Sequence, residues 1–434
     1  MLLPDVARAQ DAAPEPAGEP AATPTAPLEP APQDAPAPPA PAAAAPNGPA
    51  KEGGKSEAQW YDLLKIRGYT QFRYDNLPSF DKNPDLRNSQ GDRYIGDDQG
   101  FGIRRARLIL YGDVHPRVSV YLQTDFASVI DDTLHVPNVR DWYADIFVTP
   151  GKEVRFRVGQ SKVPFGFENL QSSQNRLALD RGDPLNSALK DERDLGVFLY
   201  AAPRETRKLF KELVDDNLKG SGDYGVLGLG VYNGQTANRP DNNGNLHVVG
   251  RLTYPFEVGS QVVEIGAAGY TGMYRVTTED QDDGTAYTVA DPDGEGDLLD
   301  RRAEVSFVWY PKPFGLQAEY NIGEGPSQGG PDDTVIDTRP LSGGYVQAMV
   351  KIDRPFDTVS LIPYVRAMMY DGGKKFETNA PHYEVREIEG GVEWQIVKAL
   401  ETTLVYAVSE RTSPSYPYDL QQGHLFRAQL QVNY

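Results

Sequence analysis

Cysteine is absent from all 434 residues, which removes disulfide frameworks and thiolate metal sites. Histidine is nearly as scarce: the five, at 115, 135, 247, 382 and 424, are too dispersed for a metal motif. No run of about eighteen apolar residues occurs, so no transmembrane helix is expected. Strands remain free to cross a membrane, because a barrel strand needs only alternate apolar residues. Basic residues are outnumbered, 43 Lys and Arg against 62 Asp and Glu, for a formal charge of −19. Nucleic acid, which needs a basic face, is excluded as a partner. No His-Glu-x-x-His motif occurs. Gly225, Gly228 and Gly230 lie in a strand pattern with no helix after them, so they read as close backbone packing rather than a phosphate loop. No cofactor and no metal are expected.

The first sixty residues stand apart. Residues 1–9 read as the end of a signal peptide, with Ala7 and Ala9 as the small residues before cleavage and the true start expected upstream. Residues 10–59 are mostly Pro, Ala and Glu without periodicity. Such a segment cannot bury enough apolar area to offset its ordering entropy, and it reads as an extended linker in the periplasm.

Residues 60–434 change character. Short alternating stretches rich in Tyr, Val, Phe and Thr recur between Gly, Asp, Asn and Pro clusters, the pattern of antiparallel strands. About sixteen are expected, from 65–74 to 425–434, an even number as bacterial barrels require. Tight turns are expected at Val114-His115-Pro116, Pro150-Gly151, Pro311-Lys312-Pro313 and Asp353-Arg354-Pro355-Phe356. Long polar connections are expected after strands one, five, nine and eleven. Short and long alternate, which a barrel explains by its two rims and a soluble sandwich does not. The fold class is therefore all-β, a transmembrane antiparallel barrel. One exception is Arg204 to Gly222, where Leu209, Phe210, Leu213, Val214 and Leu218 keep helical spacing; it predicts a short amphipathic surface helix on the periplasmic rim.

In the terminal segment, Phe426, Ala428, Leu430, Val432 and Tyr434 alternate with Arg427, Gln429, Gln431 and Asn433. One face suits lipid and the other water. The closing aromatic is similar to the terminal signal that the barrel assembly machinery reads, which makes Phe426 and Tyr434 the candidate assembly signal.

Three segments carry a family resemblance: Phe101-Gly102-Ile103-Arg104-Arg105-Ala106-Arg107-Leu108, Val158-Gly159-Gln160-Ser161-Lys162-Val163-Pro164-Phe165-Gly166-Phe167-Glu168 and Asp191-Glu192-Arg193-Asp194-Leu195-Gly196-Val197. Together they resemble the phosphate-selective porin O and P family, from about Lys65 to Tyr434. The resemblance implies a homotrimeric, sixteen-stranded outer-membrane barrel whose third external loop, here 163–193, folds into the lumen. It implies passive diffusion of small hydrophilic solutes, with anions such as phosphate favoured. In that loop Lys162, Arg176, Arg181, Lys190 and Arg193 are the candidate constriction cations, mixed with Glu168, Asp180, Asp183, Asp191 and Glu192.

Strand parity gives an independent view. With apolar faces outward, Lys65, Arg67, Arg73, Arg105, Arg107, Arg155 and Arg157 point into the lumen as a basic wall. Glu387, Glu389, Glu393 and Glu401 point inward elsewhere on the circumference, and a transverse field is expected. Cross-strand pairing of these charges is the competing reading. Acid also clusters at Asp81, Asp85, Asp92, Asp97 and Asp98 and from Glu279 to Asp300, in loops expected to face lipopolysaccharide. Asp291-Pro292-Asp293-Gly294-Glu295 has the wrong spacing for a calcium loop. Two rival functions use the same barrel: an adhesin or receptor built on the long loops, and a membrane-embedded hydrolase using His382 or His424. The hydrolase lacks an identifiable nucleophile.

Overall fold

The computed structural model describes residues 60–78, 86–87, 95, 100–130, 133–190, 193–280, 284, 286–291, 294–329, 333–413 and 418–434. Sixteen long strands form one antiparallel barrel: β1 Lys65–Asn76, β2 Gly100–His115, β3 Val118–Ile130, β4 Thr133–Phe147, β5 Val154–Lys162, β6 Arg193–Ala201, β7 Leu227–Tyr232, β8 His247–Val258, β9 Gln261–Arg275, β10 Asp297–Trp309, β11 Phe314–Ser327, β12 Val335–Val350, β13 Ser360–Gly373, β14 His382–Val397, β15 Leu400–Thr412 and β16 Leu420–Asn433. Each pairs with the next, and β1 pairs with β16 from Tyr69↔Asn433 to Asn76↔Phe426, so the sheet has no free edge. Two-residue ladders at Thr288–Val289 and Ile352–Asp353 add to it.

Alternation explains which way each strand faces. On β1, Ile66 and Phe72 are exposed outward while Gln71, Arg73 and Asp75 are buried inside. On β15, Leu404, Tyr406 and Val408 face out while Glu401, Thr403 and Ser409 are buried. The outer surface is apolar and the interior polar, the reverse of a soluble protein and the arrangement a bilayer demands.

The strands run longer than their sequence signal. β11 and β12 pair as far as Ser327↔Asp337, so the connection after the eleventh strand is short, not long. β4 begins at Thr133 and pairs with β3 up to Ile130↔Thr133 through several irregularities. In both cases backbone pairing carries the ladder past the point where apolar alternation fades. The expected acidic clusters are also redistributed. Asp297 and Asp300 belong to β10, where Asp297 pairs with Arg275 at 3.0 Å and Asp300 with Arg302 at 3.3 Å. Asp291 accepts the amides of Glu295 and Gly296 at 2.7 and 2.8 Å, which closes a turn. Asp81, Asp85, Asp92, Asp97, Asp98, Asp282, Asp283 and Asp293 lie outside the described residues.

Among the described residues three short α-helices interrupt the strands: α1 Phe167–Leu170 and α2 Asp183–Asn186 between β5 and β6, and α3 Arg204–Asp215 between β6 and β7. The expected amphipathic helix at 204 forms, with Lys208, Lys211, Glu212 and Asp215 on its exposed face. Phe210 and Leu213 are buried with Leu218 against Val262, Val308, Tyr310 and Phe167. Its apolar stripe is turned into the barrel mouth, because that is where apolar surface is available to cover it.

Candidate functional site: the lumen and its constriction

The end of β5 sets the path of the third loop. Lys162 sends its ammonium to the carbonyls of Asn169 and Gln171 at 2.7 and 2.6 Å. These are carbonyls that the single-turn helix α1 leaves without backbone partners. Phe165 is fully buried and meets Tyr270 edge-on, with ring centroids 4.9 Å apart. Gly166 takes φ +79°, and a side chain there would run into Leu185 and Glu319. The chain therefore turns inward at this glycine.

From there the loop crosses the lumen and is fastened on many sides. Glu319 of β11 accepts the amides of Phe167 and Glu168 at 3.2 and 3.1 Å. Glu168 meets both terminal nitrogens of Arg366 on β13. Asp183 pairs with Lys374 at 2.7 Å and lies 3.5 Å from Arg411 of β15. Ser187 accepts from Arg302 of β10 at 2.7 Å. Tyr69 of β1 bonds to Ser173 at 2.7 Å.

Asp180 is the most heavily engaged group of the loop. Its carboxylate receives Arg73 at 3.0 Å, Arg104 at 3.3 Å, Arg105 at 3.7 Å, and Arg427. Two consecutive arginines reach it because β2 carries an irregularity opposite Gln71 and Phe72, which brings Arg104 round beside Arg105. Burial alone would raise the pKa of Asp180, but Arg73, Arg427 and their neighbours outweigh it and hold the carboxyl well below the usual range. Glu168 and Asp183 behave alike: burial opposes ionisation, and Arg366 on one and Lys374 on the other bring the net shift downward.

Between this loop, residues 214–224 and the wall of β1 to β5 lies a polar cavity of about 250 Å³. Arg67, Arg107, Arg157, Lys162 and Arg193 line it, against Asp141 and Asp223. Tyr121 and Tyr143 stack at 5.1 Å on the wall, and Tyr224 faces them from the opposite side. Arg157 sits 3.8 Å from the Tyr143 ring centroid and 5.6 Å from that of Tyr224. This is the region where a permeating solute would meet charge and aromatic faces together.

Residues 83–434 match the sequence profile of the family described as phosphate-selective porin O and P. The chain belongs to that family. It is an outer-membrane porin. Two solved barrels resemble its fold. The outer-membrane channel DcaP of Acinetobacter baumannii aligns at 12% identity and TM-score 0.50, covering 86% of this chain and 97% of its own. OprB of Pseudomonas putida aligns at 7% identity and TM-score 0.51, covering 86% and 94%. Among curated proteins none matches the sequence.

Within the porin, the residues singled out by sequence divide into groups. Lys65 and Arg67 are exposed at the mouth, and Arg67 lies 5.5 Å from the Tyr111 ring. Arg73 and Arg105 are buried under the third loop on Asp180. Arg107 faces Asp125 directly across the ladder at 2.8 Å, and Arg157 faces Asp145 with two bonds of 2.8 and 2.9 Å. Arg155 reaches Asp223 at 3.3 Å and Asp145 at 3.5 Å. On the other side, Glu387 pairs with Arg411 at 2.7 Å and Glu389 stands opposite Arg366 in register. Glu393 meets Lys219, and Glu401 is buried opposite Gln431. None of the four glutamates lines the cavity just described.

The cations of the third loop mostly satisfy the chain itself. Besides Lys162, Arg176 donates to the carbonyl of Ala178 at 3.1 Å and Arg181 to Asn169 at 3.1 Å. Arg193 is held by Asp141 at 2.9 Å. Lys190 is half-buried, and its carbonyl accepts from Thr236. A loop with little regular structure leaves many buried carbonyls, and donors on long side chains are the available remedy. Sequence reasoning missed Asp125, Asp141 and Asp145, although they share the inward parity of β3 and β4 and could be found as cross-strand partners of the arginines. It also missed Lys219, Asp223 and Tyr224, for which only a Gly-Ser-Gly-Asp-Tyr run after a helix gave notice.

Proposed function

We propose that this porin passes small hydrophilic solutes by passive diffusion with a modest preference for anions, phosphate among them. The observation that carries the reading is the cavity beside β1 to β5, lined by five cations and two carboxylates. Arg107 and Arg157 are compensated by Asp125 and Asp145 close behind them, so the excess seen by a solute is small and positive. The site residues of the basic wall and the third loop act chiefly through that excess and through the width they set. Reversal potentials of purified protein in a planar bilayer, under a salt gradient with chloride and phosphate compared, test this. Cation-favouring potentials at low salt would remove the anion preference, and a sealed barrel would favour an adhesin or hydrolase instead.

The same reading includes the surroundings. The family resemblance supports a homotrimer, and the apolar outer wall supports direct contact with lipid and lipopolysaccharide. The aromatic at 434, closing the strand that carries the outward Phe426, supports recognition by the barrel assembly machinery. Residues 10–59 are read as a periplasmic arm, because in outer-membrane barrels the rim of short turns faces the periplasm and β1 enters from that rim.

A further inference from the structure

The rim of short turns carries one long connection, residues 202–226 between β6 and β7. Elsewhere on that rim the chain reverses over segments as short as 116–117, 259–260 and 398–399. A turn there needs only a few residues, so the length of this one calls for a cause. Its course supplies one. After α3, Asn217 donates to Ser360 and to Gln395, both at 3.2 Å, on the far wall at β13 and β14. Lys219, only 2% exposed, places its ammonium 2.6 and 2.7 Å from the two oxygens of Glu393. The chain then comes back across the lumen, and Asp223 takes Arg155 of β5 at 3.3 Å.

Two further features separate this segment from a passive linker. Asn217 and Lys219 adopt φ +54° and +68°, a region that non-glycine residues occupy at a cost and usually only where the surroundings impose it. A buried lysine adds a desolvation cost that only a well-made pair offsets. The segment also abuts the third loop from below. Gln171 donates to the carbonyl of Lys219 and Asn175 to that of Gly220, at 2.6 and 2.9 Å. Ser221, Asp223 and Tyr224 thereby form the side of the cavity that faces the arginine and tyrosine wall.

We propose that residues 204–226 form a second constriction, entering from the periplasmic mouth, that sets the size limit of the pore jointly with the third loop. Lys219 and Glu393 are its latch. Lys219 is a positioning residue: it acts by holding Ser221 to Tyr224 against the passage. The proposal rests on the porin reading of the same lumen.

The test uses the full chain, with heat-modifiable migration to verify folded barrel. Lys219→Gly removes the ammonium and relieves the left-handed backbone, and Glu393→Gln removes the counter-charge at constant size. Each should raise single-channel conductance roughly two-fold, because the free cross-section grows. Each should also let larger neutral sugars enter in liposome swelling. The exchange Lys219→Glu with Glu393→Lys should restore the parent conductance, which a general loss of packing would not allow. Folded Lys219→Gly and Glu393→Gln channels with parent conductance and the parent size limit would overturn the proposal while leaving the porin reading intact. Absence of channels from the unaltered protein would overturn both.

Discussion

Glu168 and Arg366 meet where the third loop reaches the far wall, two carboxylate oxygens against two guanidinium nitrogens, although they lie on the third loop and on β13. Both are almost wholly buried. Removing one partner of such a pair leaves an uncompensated charge and costs about 3 to 5 kcal/mol. Arg366→Met should therefore free the third loop, giving noisier channels and a lower midpoint for the heat-modifiable transition. Glu168→Gln with Arg366→Met together should recover much of the loss, because no lone charge remains. Equal destabilisation in the double variant would show that the pair does not act as a unit.

Tyr434 and Gly68 exchange two backbone hydrogen bonds, of 2.7 and 3.0 Å. A methyl group on Gly68 would fall 2.4 Å from the Tyr434 ring and 2.5 Å from the carbonyl of Arg107. Gly68→Ala should cost about 1 to 3 kcal/mol through overpacking at the seam. Deleting Tyr434 should lower the yield of folded barrel in outer-membrane fractions, since both the seam and the interfacial aromatic are lost. Undiminished heat-modifiable protein in both variants would contradict this.

Asp125 and Asp145 restrain the charge of Arg107 and Arg157. A unit charge at about 6 Å, at an effective dielectric of about 50, is worth roughly 1 kcal/mol. Asp125→Asn with Asp145→Asn should accordingly raise the anion-to-cation permeability ratio roughly five-fold at low salt. Replacing Arg105, Arg107, Arg155 and Arg157 by Gln should move it toward cations, because Asp125, Asp145 and Asp180 are then left with fewer counter-charges. Both effects should fade near molar salt, where the screening length is about 3 Å. Reversal potentials unchanged at low salt would show that selectivity is set elsewhere.

Asp180, Glu168 and Asp183 are held below the ordinary carboxylate range in the folded protein, burial being outweighed by neighbouring cations. A folded value below the unfolded one means that their stabilisation is fully present above the usual range and is lost as pH falls through the lower folded value. Conductance should therefore hold steady from neutral pH down to about 4. The third loop should loosen only in stronger acid, seen as a change in current amplitude. A transition between pH 5 and 7 would place the control on other groups.

The barrel was legible because its evidence is local. Alternation, tight turns at residues such as Pro116 and Gly151, and the spacing of Phe210 and Leu213 are all contained within short windows. Parity likewise placed Arg107 and Arg157 on the inner face without any knowledge of neighbours. What escaped was mutual arrangement. Whether Arg107 meets Asp125 or bare solvent depends on register between strands, and Arg104 joins Asp180 only through a ladder irregularity. The inward turn of α3 depended on apolar surface contributed by Val262 and Val308, far away in the chain.

The seam between β1 and β16 also bears on how the protein can fold. Its register joins Tyr69 to Asn433, so the first strand keeps an unpaired flank until the sixteenth arrives. An open flank of this kind is a template for pairing with other chains, and contacts so distant in sequence form slowly because loop closure comes first. The nascent polypeptide thus passes through a long adhesive stage, in which a holding factor that masks strand flanks would have more influence on yield than any single contact within the finished barrel.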